Sequence, residues 1–154
     1  MREPGAKSRV LRMARSVALA QAIDAEKRQC WRNAMLAIMT QENLRHAHYV
    51  EGWAIPEHGI PIEHGWLEIE EEASILVLDP TLVLLGDRNV AYFPGLRFSY
   101  EEVQAFWNTT LPYVRQDGHG GWSWEPYQRA QERAYLHAFG TLKRVGEGSE
   151  SSDD

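Results

Sequence analysis

The chain has 154 residues, 44% of them hydrophobic, which is enough for one domain with a full core and too few for two ordinary ones. A formal net charge of −6 and an isoelectric point near 5.5 argue against a nucleic-acid binder that works by neutralising phosphates. A single cysteine, Cys30, excludes an internal disulfide and with it the small secreted scaffold stapled by such bonds.

Residues 1–7 contain Pro4 and Gly5 and read as a flexible tail. No continuous apolar run follows the basic N-terminal stretch: residues 17–22 are too few and are interrupted by Gln21. Neither a signal peptide nor a membrane span is therefore expected, and the default location is the cytoplasm. Across residues 8–26 the apolar side chains Val10, Met13, Ala14, Val17, Ala18 and Ala20 recur at helical spacing, which predicts a first helix. Its arginines are expected to form a solvated face.

A second helix is predicted to start at Cys30, with Trp31, Ala34, Met35, Ile38 and Met39 as its apolar stripe, and to be the central buried helix. Residues 48–55 alternate as a strand that Pro56 stops. Residues 62–69 and 74–79 read as two further strands joined by an acidic turn, so three antiparallel strands are expected in succession. Residues 81–85 either extend the sheet or turn, and residues 90–93 form a short strand before a turn at Pro94 and Gly95.

Ser99 and Glu102 carry the S-x-x-E capping pattern and predict a helix to about Trp107. Residues 117–124, D-G-H-G-G-W-S-W, read as a glycine-rich loop bearing aromatics. A last helix is expected from Pro126 to about His137 with Gly140 as its stop, followed by an acidic flexible tail over residues 145–154. One domain over residues 8–144 results.

Three chemistry-bearing residues stand out in this frame. Cys30 opens a helix, where the helix dipole favours a thiolate. His64 lies on a strand beside Ile62 and Trp66, and Asp79 closes the next antiparallel strand, which brings the carboxylate near the imidazole. A carboxylate so placed fixes the histidine tautomer and stabilises the imidazolium. Read singly, each has a plainer role: a small buried thiol, a satisfied core histidine, a turn-capping aspartate. His46, His48, His58 and His64 complete no recognised ligand spacing, so neither a metal nor another cofactor is expected.

C-W-x-x-A opening a helix, a strand beginning H-G-W-L-E and a following strand ending L-D-P-T together resemble the transglutaminase-like branch of the papain-like cysteine proteins. His-Gly-Trp stands where that superfamily more commonly has His-Ala-Trp. The stretches Y-V-E-G-W-A and A-Y-F-P-G-L-R-F also resemble a set of mostly uncharacterised bacterial and phage proteins. The likeness covers roughly residues 27–98.

It implies an α+β fold, with an antiparallel sheet packed on a central helix that starts at the cysteine and additional C-terminal helices. It also implies a Cys30–His64–Asp79 triad for acyl transfer on an amide or peptide bond, as a hydrolase, deamidase or transglutaminase. The oxyanion would be held by the Cys30 amide with either the Gln29 side chain or a tryptophan. Gln29 before Cys30 resembles the Gln-Cys-Trp of several transglutaminases.

Glu51 either lies near the site or faces solvent. Trp53 and Trp66 are expected in the core, whereas Trp122, Trp124 and His119 are candidate contacts for a protein or peptide substrate. The rival expectation is a catalytically inactive interaction module of phage or mobile-element type that binds a host protein.

Overall fold

The computed structural model describes residues 7–109 and 125–150, with side chains described for residues 7–105 and 129–141. Its elements are β1 (Ser8–Leu11), α1 (Met13–Ala22), α2 (Cys30–Thr40), β2 (His48–Ile55), β3 (Ile62–Glu70), β4 (Ser74–Leu78), β5 (Ala91–Ser99), α3 (Tyr100–Thr109) and α4 (Glu125–Glu150). The class is α+β: one five-stranded mixed sheet in the order β1-β4-β3-β2-β5, with several helices.

The three successive antiparallel strands are present as β2, β3 and β4. The sheet is not wholly antiparallel, however, because β1 runs parallel to β4, with Ser8 to Leu11 opposite Ser74 to Val77. Residues 8–11 are therefore strand rather than the start of the first helix. A parallel partner more than sixty residues away leaves no mark on the local pattern, and the Arg12 amide fastens the turn into α1 by donating to the Val77 carbonyl at 2.9 Å.

Helix α1 buries Ser16, Leu19 and Ala20, with Ile23 just past its end, and of these only Ala20 belongs to the expected stripe. Val10 and Val17 stay about two-fifths exposed, and the stripe lines an open groove with Arg88.

Helix α2 is the buried helix that was expected. Ala34, Met35, Ala37 and Ile38 pack on Tyr49, Leu67, Leu76 and Leu78 of the sheet. Each large aliphatic side chain buried this way contributes about 1.5–3 kcal/mol. On the opposite sheet face Val50, Ala54, Trp66, Val77, Leu82 and Tyr92 form a second cluster. Residues 82–85 coil into a 3-10 turn rather than extending the sheet.

Strand β5 continues through Pro94 and Gly95, where a turn was expected. Pro94 is tolerated because β5 is an edge strand, and the ladder slips by one residue between Glu51 and Gly52. Gly52 is required at this bulge: a Cβ there would stand 2.2 Å from the Phe93 carbonyl oxygen.

Ser99 and Glu102 form the predicted capping box, each side chain accepting from the other's amide at 3.2 Å. Helix α4 does not stop at Gly140 but continues to Glu150, through most of the stretch read as a flexible tail. Each glycine costs about 1 kcal/mol in a helix interior, and α4, which contains Gly140, Gly146 and Gly148, packs on β2 and β5. Trp53 meets that helix edge-on, with ring centroids 5.1 Å from Tyr135 and 6.0 Å from Phe139. No helix among the described residues is long and apolar enough to cross a membrane.

Candidate functional site

The site is built where two strands part. Pairing between β3 and β4 covers only Leu67 to Glu70 against Ile75 to Leu78. His64 and Asp79 both lie beyond the last pair, on one face, because each is an even number of residues from a paired neighbour on that face. Trp31, the second residue of α2, packs against Gly65, so the start of the cysteine helix sits beside the residue that follows His64.

His64 Nε2 and Asp79 Oδ2 are 2.7 Å apart, with the histidine 2% exposed and the aspartate fully buried. Asp79 occupies Nε2, and the Cys30 side chain is a lesser neighbour that also favours the protonated ring. Burial alone would push the His64 pKa down. The charge and hydrogen bond of Asp79, with the lesser contributions of Cys30, instead raise it to about 10. Burial also opposes ionisation of Asp79, but His64 and the surrounding donors hold its carboxyl below the usual value. The pair is therefore an imidazolium and a carboxylate at neutral pH.

Asp79 is held on every side. Its Oδ1 accepts from the amides of Thr81 at 3.1 Å and Leu82 at 3.0 Å, the turn-capping role open to an Asp-Pro-Thr sequence. Its Oδ2 accepts from the Tyr92 hydroxyl at 2.8 Å as well as from His64. Its own amide donates to Ser16 Oγ of α1 at 3.0 Å. Asn33 of α2 donates to Thr81 Oγ1 at 2.9 Å and to the Glu26 carbonyl at 2.7 Å, tying the first turn of the cysteine helix to the aspartate corner.

Cys30 is the first residue of α2, is 8% exposed and forms no disulfide. Only a small part of the residue is reachable from solvent. Gln29 occupies the N-cap position with its side chain exposed and making no capping bond.

Glu51 does not face solvent. It is fully buried on the sheet side opposite His64, next to Gly65 in register, and accepts from the Tyr49 hydroxyl at 2.6 Å. Trp66 is fully buried, as expected of a core residue, and lies between the rings of His64 and Tyr92 at 6.0 and 5.0 Å. His119, Trp122 and Trp124 lie outside the described residues.

Ser16, Asn33 and Tyr92 are site neighbours that sequence reasoning missed. The first two carried a signal, since each is a polar residue inside its helix's buried stripe: Ser16 with Leu19, Ala20 and Ile23, and Asn33 with Cys30, Ala34 and Ala37. A buried polar group there requires a partner across the interface. Tyr92 carried none, because its role depends on β5 pairing with β2 at Ala54.

No protein-family model, curated protein or solved structure matches the chain.

Proposed function

We propose that the chain is a cysteine-dependent acyl-transfer enzyme of the transglutaminase-like, papain-like type, acting on an amide or peptide bond of a protein or peptide. The observation that carries this reading is the buried 2.7 Å contact of His64 with Asp79, beside the start of the helix that Cys30 opens. A histidine and an aspartate removed from water together are costly, and one such pair contributes little net stability over apolar residues of the same size. Placed next to a helix-start cysteine, the pair gains a chemical use, because an imidazolium favours the thiolate beside it.

In this mechanism Cys30 reacts as a thiolate beside the His64 imidazolium. The sulfur attacks the carbonyl carbon, forming a C–S bond and placing negative charge on the carbonyl oxygen. As the first residue of α2, Cys30 offers its own amide toward that oxygen, one of the helix N–H groups without an intrahelical acceptor. Collapse breaks the C–N bond while His64 delivers its proton to the departing nitrogen. The thioester is resolved by water or by an amine, whose proton returns to His64 as the thiolate leaves. Water gives hydrolysis or deamidation; an amine gives transamidation.

The test is alkylation of Cys30 with iodoacetamide at pH 7, followed by mass spectrometry in native full-length protein. Labelling at least tenfold faster than a free cysteine, slowed to or below the free rate in His64→Ala, is the expected result. Labelling at the free rate in both proteins discards the enzyme reading and leaves the interaction module.

A further inference from the structure

Asp79 Oδ2 serves two donors, and only one belongs to the reaction above. His64 Nε2 approaches at 2.7 Å and the Tyr92 hydroxyl at 2.8 Å, while the two backbone amides already occupy Oδ1. The three rings form a closed circuit, since Trp66 packs on His64 at one side and on Tyr92 at the other. Tyr92 is itself buried, 8% exposed, so no solvent takes the place of its bond to the carboxylate.

We propose that Tyr92 is a positioning residue that shares Asp79 Oδ2 with His64 and so limits how tightly the carboxylate holds the imidazolium. The hydroxyl stabilises the carboxylate whether or not His64 carries its proton, and its share is largest when the ring is neutral and Asp79 stands uncompensated. The histidine is thereby eased toward releasing its proton, which the acyl-transfer reading requires of it when the amine leaves.

The charged or titratable groups facing this circuit are Cys30 from α2, Asp79 at the end of β4, Asp87 beyond the 3-10 turn, which acts on Tyr92, and Glu68 of β3. Glu68 accepts from Trp66 Nε1 at 3.4 Å, is paired with Arg9 of β1 and is approached by Arg97 of β5. Helix α1 presents the neutral Ser16 to the Asp79 amide.

The experiment follows the His64 ring nitrogens by NMR between pH 6 and 11 in the native full-length chain. In Tyr92→Phe the carboxylate loses one donor and holds the imidazolium harder, so the midpoint moves up by about half a unit or more, the scale of one hydrogen bond. Uniform replacement of tyrosine by 3-fluorotyrosine makes the phenol a stronger donor at unchanged shape, and the midpoint moves down. This second arm also stands if Tyr92→Phe fails to fold.

A His64 midpoint unmoved in both arms, or moved with the opposite signs, overturns the proposal and leaves Tyr92 a packing residue. The readout is separate from cysteine chemistry. If Cys30 is unreactive in the parent protein, the acyl-transfer reading falls while the titration still reports on Tyr92.

Discussion

Gly65 has no room for a side chain. A Cβ at this position would stand 2.8 Å from Trp31 Cδ1 and 3.5 Å from the Trp31 Cα. Because Trp31 follows Cys30, a shift of the Trp31 backbone away from position 65 would carry Cys30 with it. Gly65→Ala is expected to cost about 1–3 kcal/mol through overpacking. It should also slow Cys30 alkylation at pH 7 several-fold while the His64–Asp79 contact persists, a combination that denaturant titration and labelling rates together would reveal. Unchanged alkylation would show that Trp31 yields without carrying Cys30 along. His64 and Asp79 were legible in the sequence because each has an unusual address, at the open end of a strand hairpin whose register brings the ends together. Cys30 was legible as the only thiol at a helix start. The groups that hold them were harder to find. Ser16 and Asn33 look like interruptions of an apolar stripe, and Tyr92 like any strand aromatic, until the partner across the interface is known.

The capping box and the β3–β4 turn, whose bonds are local, were read correctly, whereas strand β1, made by distant pairing, was not. The capping box at Ser99 and Glu102 is complete within four residues, and the β3–β4 turn within a few more. Strand β1 exists only because β4 accepts it in parallel, so its apolar spacing passed for helix. One side chain on that strand makes the pairing consequential. Arg9 Nε donates to Glu68 Oε1 at 2.7 Å, and Glu68 is fully buried on β3. Arg97 reaches toward the same carboxylate from β5, with 3.9 Å between its Nη2 and Glu68 Oε2. Removing Arg9 leaves a buried carboxylate with its closest cation gone. Arg9→Met is expected to destabilise the fold by about 2 kcal/mol, below the usual cost of breaking a buried pair because Arg9 is partly exposed. Glu68→Leu added to Arg9→Met should restore most of that loss, since no charge is then left buried. Equal urea midpoints for Arg9→Met and the parent would mean that Arg97 and Trp66 suffice for Glu68.

At the scale of the whole molecule, the buried His64–Asp79 pair couples folding to pH. His64 has a native pKa of about 10 against an ordinary 6.5, so its contribution to stability is fully present below about pH 6.5 and is lost as pH rises through about 10. Asp79 works in the other direction. Its pKa is lowered in the native state, so its contribution is present above the ordinary carboxylate value and is lost as pH falls through the native one. Stability should therefore be level between about pH 5 and 6.5 and decline on both sides. The acid limb is shared, because Glu57, bonded by the amides of Arg88 and Asn89, and Glu70, paired with Lys7, also have lowered values. The alkaline limb belongs chiefly to His64, since the phenol of Tyr92 titrates well above the ordinary tyrosine range. Urea midpoints measured at intervals from pH 6.5 to 9.5 should fall steadily in the parent chain. In His64→Gln they should start lower and stay flat, the glutamine amide having no proton to lose. A parent protein equally stable at pH 6.5 and 9.5 would mean that His64 is neutral in the native state, with Asp79 held by Tyr92 and the two backbone amides alone.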